Sequence, residues 1–162
     1  MALFAVYGTL KRLKFFWPYL SNKNPKVGQG DSPLHFVAYH GLTDVADFML
    51  EKLQDHCNSK NINDKSPMNY AVKCGHPEII RSMQQKLGLN NDEIVVYLHA
   101  ALKNGDFKCV KALLEDQDLE SRKEIARIVY FCETALQAAT SYYKKTQGAE
   151  KARYLQIVEY LY

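Results

Sequence analysis

Pro33-Leu34-His35-Phe36-Val37-Ala38-Tyr39-His40-Gly41 decides the fold, because the chain contains this stretch more than once. Pro67-Met68-Asn69-Tyr70-Ala71-Val72-Lys73-Cys74-Gly75 lies in register with it, and so does Tyr97-Leu98-His99-Ala100-Ala101-Leu102-Lys103-Asn104-Gly105. Gly41 and Gly75 are 34 residues apart, Gly75 and Gly105 are 30 apart, and Gly8, after Ala5-Val6-Tyr7, precedes Gly41 by 33. Such self-similarity marks stacked units, each too small to bury its apolar face alone. After each glycine comes an amphipathic run, at residues 9–20, 42–53, 76–87 and 106–115.

The residue types suit a pair of helices in each unit. Pro33 and Pro67 fit the first turn of a helix, where a missing N–H leaves no bond unmade. Gly41, Gly75 and Gly105 fit the helix end, where the chain turns into a conformation glycine tolerates best. Ala38, Ala71 and Ala101 are small enough for neighbouring helices to approach closely. In the runs that follow, Val45, Ala46, Met49 and Leu50 recur at i, i+1, i+4 and i+5. Ile79, Ile80 and Met83, and then Cys109, Val110, Leu113 and Leu114, keep the same offsets, giving one buried stripe per helix.

These blocks resemble the ankyrin repeat, whose hallmark is Thr-Pro-Leu-His followed by small residues and Gly-His at a period of about 33. Ser32-Pro33-Leu34-His35 and Gly75-His76-Pro77-Glu78-Ile79-Ile80 carry the resemblance most closely, and it extends over nearly the whole chain. It implies an all-α ankyrin-repeat α-solenoid with short hairpin fingers, in units of about 1–29 (capping), 30–62, 63–92, 93–120 and 121–162. It also implies that the hallmark histidine slot, filled by His35, Asn69, His99 and Gln137, hydrogen-bonds backbone between repeats and is structural. The same holds for His76.

The pattern breaks in three places. Between Gly75 and Gly105 the unit is short and lacks the hallmark proline, so its finger is expected to shrink to a tight turn near 88–91, with Asn91 capping a helix over 92–103. After Leu114 the next unit is recognisable only at Thr134-Ala135-Leu136-Gln137-Ala138-Ala139. In the long connection Ile125, Ile128, Val129 and Cys132 fall at helical spacing, which predicts an inserted helix capped by Ser121 and running toward the next repeat helix. A final helix is expected over 149–162, after an insert at 144–148. Arg12 occupies the slot of Val45, Ile79 and Cys109, as a polar outer face requires at a stack end. The last helix has apolar residues in every such slot, so its face is expected to be covered, and the natural chain to continue beyond Tyr162.

Composition excludes several function classes. With 162 residues, 47% of them hydrophobic, the chain can bury one core. Its 21 Lys+Arg against 18 Asp+Glu leave +3, too little and too dispersed to mark a nucleic-acid or membrane-surface protein, so Lys11, Arg12 and Lys14, and Lys144 with Lys145, read as solvated helix faces. No apolar run of about 18 residues occurs, and no secretory signal is expected. Cys57, Cys74, Cys109 and Cys132 contain no CxxC and are expected to be reduced and unliganded in an intracellular, cytoplasmic rather than nuclear, protein. No GxSxG, HExxH, phosphate-binding glycine loop or zinc quartet is present, so neither an enzyme nor a cofactor is expected.

The resemblance implies a protein–protein interaction module, a scaffold or adaptor binding a partner protein through the concave groove of the stack. The rival reading is a regulatory or assembly segment of a larger enzyme or ion channel. By the resemblance, the partner-facing positions are the two residues before each glycine and the residue two before each hallmark proline: Tyr7, Tyr39, His40, Lys73, Cys74, Lys103 and Asn104, with Asp31 and Lys65. Val6 joins them, and Gln29 and Asn63 lie nearer the finger tips. An aromatic end and a basic end suggest an acidic partner segment with an apolar anchor.

Overall fold

The computed structural model describes residues 10–53, 56–128 and 134–161. Ala5-Val6-Tyr7-Gly8, Val129, Cys132 and Tyr162 lie outside them. The chain forms two compact units, Met1–Leu87 and Gly88–Tyr162. Among the described residues there is no strand, only an isolated antiparallel bridge between Val27 and Asp31.

The first unit contains α1 (Leu10–Phe16) with a 3-10 turn (Trp17–Tyr19), then the hairpins α2 (Pro33–His40) with α3 (Thr43–Lys52) and α4 (Pro67–Cys74) with α5 (Pro77–Leu87). Helix α2 packs on α4 and α3 on α5, so equivalent helices lie side by side. The predicted stripes are the core: Val45, Ala46, Met49 and Leu50 are buried, as are Ile79, Ile80 and Met83. Ala38 and Ala71 are fully buried where α2 meets α4. Burying each large aliphatic contributes about 1.5–3 kcal/mol, which no single hairpin could assemble alone. In α1, Leu13 faces the core while Arg12 is exposed, and Trp17 packs edge-on against Phe48 at 5.2 Å.

Proline starts α2 and α4, and each is closed at its N-terminus by a reciprocal cap. The Ser32 N–H donates to His35 Nδ1 at 3.0 Å, and the Ser66 N–H to Asn69 Oδ1 at 2.8 Å. Thr134 and Gln137 repeat the arrangement in the second unit at 2.8 Å. Three of the four hallmark-slot residues thus share one job.

The second unit contains α6 (Asn91–Lys103), α7 (Phe107–Leu114), α8 (Leu119–Arg127), α9 (Ala135–Lys145) and α10 (Gly148–Leu161). Here the remaining slot, His99, stands in a different local setting. Helix α6 begins at Asn91, one residue before the expected start at Asp92, and Asn90 rather than Asn91 caps it, trading bonds with Glu93. Without a proline to start the helix near residue 97, α6 extends toward its N-terminus past the hallmark position. His99 therefore sits in the middle of the helix and cannot take the capping role of His35.

The inserted helix exists as α8, but its cap is Asp118, whose carboxylate accepts from the Ser121 N–H at 2.7 Å, not Ser121 itself. It ends at Arg127, and Ile128 is extended. Ile125 is buried, and α8 packs on α6 and α9. Arg122 donates to the Leu114 and Glu115 carbonyls at 2.8 Å each, closing the C-terminus of α7 with a cation where the helix dipole favours one. On α10, Tyr154 and Ile157 are buried and Tyr160 meets Phe107 edge-on, while Leu155 remains exposed.

Burial sorts the thiols. Cys57 and Cys109 are buried, and the Cys57 thiol donates to the Leu53 carbonyl at 3.2 Å; Cys74 is half-exposed. Burial pushes the Cys74 thiol above its ordinary pKa, against the opposing charge of Lys73. In a Cys132→Ser background, mildly alkaline labelling should modify Cys74 well before Cys57 or Cys109. Equal labelling rates for Cys74 and Cys109 in folded protein would show that α7 is not buried as described.

Candidate functional site

Two fingers stand beside each other in the first unit. In the first, Val27 and Asp31 exchange backbone hydrogen bonds of 3.0 Å in both directions. In the second, the Asn61 N–H donates to the Lys65 carbonyl at 3.0 Å, while Asn61 Oδ1 accepts from the N–H groups of Asn63 and Lys65. Such side-chain-to-backbone turns are what asparagine does best. The Ile62 N–H donates to the Gln29 carbonyl at 3.0 Å, joining finger to finger, and the Asn63 and Gln29 side chains bond across the tips.

Below the fingers lies a polar and aromatic cluster. Asn61 Nδ2 donates to Asp31 Oδ1 at 2.7 Å and to the Tyr70 hydroxyl at 3.2 Å. The Tyr70 hydroxyl approaches the same carboxylate at 3.5 Å. Burial first, and the Asp31 charge second, raise the Tyr70 hydroxyl above its ordinary pKa, so it stays protonated beside the carboxylate. Tyr70 meets His35 edge-on at 5.6 Å and Tyr39 at 6.2 Å, and Tyr39 meets His40 at 5.0 Å. The Tyr39 carbonyl accepts from His76 Nε2 at 3.1 Å, so the helix end that carries Tyr39 is pinned by the next repeat.

The predicted positions divide accordingly. Tyr39 and His40 are brought together and exposed, Tyr39 at 49%. Lys65 and Lys73 are exposed at a finger base and near the end of α4, and Cys74 is half-exposed beside Lys73. Asp31 is half-buried, with its carboxylate engaged by Asn61 and Tyr70. Lys103 and Asn104 are exposed in the second unit, where a shallow cleft of about 390 Å³ is lined by Asn104, Gly105, Phe107, Lys108, Arg153 and Gln156. Tyr7 lies outside the described residues. Tyr70, Asn61 and Ile62 belong to the site and were not singled out from sequence; Ile62 stands 78% exposed on the second finger. Among the described residues no three His, Cys, Asp or Glu side chains gather as a metal site would need.

Helix hairpins in register, with paired fingers between them, define a helical repeat protein. The chain belongs to the ankyrin-repeat family: the family model for ankyrin repeats matches three copies across residues 2–93. It is an all-α ankyrin solenoid, and ankyrin repeats are generally protein–protein interaction modules, typically without catalytic activity. No curated protein matches the chain. No helix among the described residues is long and apolar enough to cross a membrane.

Proposed function

We propose that the finger face of the first unit binds an extended acidic segment of a partner protein. Its apolar anchor packs on Tyr39 beside His40, and its carboxylates lie near Lys65 and Lys73. The observation that carries this reading is the half-exposed Tyr39 ring, held from behind by Tyr70 and His40 and fixed through its own carbonyl by His76. A large ring already immobilised loses little entropy on binding, and this is what an interface anchor requires. The lysines are point charges on flexible stems, suited to a run of carboxylates rather than to one fixed pair.

Quantitative pull-down with the full chain, compared with the Tyr39→Glu, Lys73→Glu variant, tests this. Loss of one well-packed aromatic anchor costs about 2 kcal/mol or more, so acidic partners captured by the wild-type chain should fall by more than about tenfold. Lys73 is exposed and Tyr39 half-exposed, so the variant should remain folded, which circular dichroism checks. The same proteins captured equally by both forms would overturn the assignment.

A further inference from the structure

The small net charge conceals an uneven distribution. Lys11, Arg12, Lys14, Lys23 and Lys26 fall between residues 10 and 30, and no Asp or Glu does; the rest of the chain has fewer basic residues than acidic ones. The same segment carries three exposed aromatic rings: Phe15 at 67%, Phe16 at 43% and Tyr19 at 79%. Phe15 meets Phe16 edge-on at 5.1 Å and Tyr19 at 6.4 Å, so they form one patch. The patch is presented on a firm base. Leu13 and Trp17 are buried, Trp17 packs on Phe48, and Lys14 and Lys52 lie over the Phe48 ring at 5.7 and 6.0 Å. Glu51, an acidic group within reach of the Lys14 charge, is already paired with Lys52 at 2.8 Å.

We propose that this segment, Leu10 to Lys26, docks the protein on an anionic lipid surface. Phe15, Phe16 and Tyr19 enter the headgroup layer, and Lys11, Arg12, Lys14 and Lys23 face its negative charge. Protruding rings flanked by cations are the arrangement that seats a protein on, not through, a membrane. Four of the five cations are lysines, which answer a diffuse field better than the bidentate carboxylate contacts that arginine makes. The three rings are exposed rather than packed into the unit. This proposal uses none of Tyr39, His40, Lys65 and Lys73 and does not depend on how the finger face is read.

Sedimentation of the full chain with vesicles tests the idea. Phosphatidylcholine vesicles containing phosphatidylserine should pull it down, and phosphatidylcholine alone should not. Raising salt from about 0.1 M to about 1 M shortens the screening length from about 10 to about 3 Å and should release it. Lys11→Glu with Arg12→Glu, and separately Phe15→Ser with Tyr19→Ser, should each lower partitioning by about tenfold or more. All four side chains are exposed, and unchanged circular dichroism confirms the fold. If the serine variant unfolds, the charge-reversal variant and the salt dependence decide alone. Equal binding to neutral vesicles, no binding to anionic ones, or binding only to an acidic polypeptide such as poly-glutamate would each overturn the proposal.

Discussion

Replacing Gly41 with alanine is expected to destabilise the first unit by about 2–4 kcal/mol, although the change adds only a methyl group. Gly41 follows α2 in the left-handed region, at φ 71° and ψ 27°. A side chain there costs about 1–2 kcal/mol from backbone strain alone. The added Cβ would also lie 2.6 Å from His76 Cε1 and 2.7 Å from Nδ1. The ring would have to withdraw, breaking its 3.1 Å bond to the Tyr39 carbonyl and leaving the end of α2 without that partner. Urea unfolding of Gly41→Ala in wild-type and His76→Ala backgrounds separates the two contributions. With the imidazole gone, the penalty should fall to the strain alone. An equal penalty in both backgrounds would show that the ring does not press on this glycine.

The second unit reaches the same end by another residue. A Cβ on Gly105, at φ 64°, would lie 3.1 Å from the Tyr154 hydroxyl, and that hydroxyl donates to the Lys103 carbonyl at 3.2 Å. Tyr39 and Lys103 each stand two residues before their glycine, so both helix ends are tied by a ring arriving from the following repeat.

The first of these latches was legible, because His76 belongs to the Gly-His pattern. The second was not: Tyr154 comes from the middle of a helix after two inserts, where the repeat register no longer fixes what lies opposite. Other failures had signals that competing residues obscured. Asn90-x-x-Glu93 is a capping box, but the neighbouring Asn91 is the same N-cap residue type one position later. Asp118 precedes Ser121 by three residues and caps more strongly, since a carboxylate both accepts the N–H and matches the helix dipole. At the candidate site the exposed first-helix positions follow directly from the glycine register. Asp31 follows from it too, but its role does not, because Asn61 and Tyr70 reach it from the next repeat, 30 and 39 residues away. Side chains spent holding the fingers together are indistinguishable in sequence from those free to meet a partner.

His35 should make the stability of the first unit depend on pH. Its Nδ1 lies 3.0 Å from the Ser32 N–H and 2.7 Å from the Ser32 hydroxyl, and its Nε2 lies 2.9 Å from the Lys65 carbonyl. A backbone N–H can only donate and a carbonyl can only accept, so the neutral ring with its proton on Nε2 satisfies both neighbours. Protonating Nδ1 would set two donors against each other at the start of α2. Burial is the main cause that lowers the pKa of His35 below its ordinary value of 6.5; the Lys65 carbonyl and Asp31 oppose it in part. In the unfolded chain the imidazole takes up a proton first as pH falls. The stabilisation is therefore complete above about pH 7.5, declines as pH passes through about 6.5, and levels off once the folded-state ring is also protonated. His35→Ala, which leaves the Ser32 N–H and the Lys65 carbonyl without this partner, should cost about 1–3 kcal/mol near neutral pH. Its deficit relative to wild type should shrink in acid. His35→Gln is the sharper comparison, because Gln137 performs the same capping role at Thr134 and cannot titrate. Urea unfolding between about pH 8 and about pH 5 should give a shallower loss of stability for His35→Gln than for wild type, since only the wild-type ring takes up a proton on unfolding. Parallel slopes would mean that the ring is not held neutral between the two repeats.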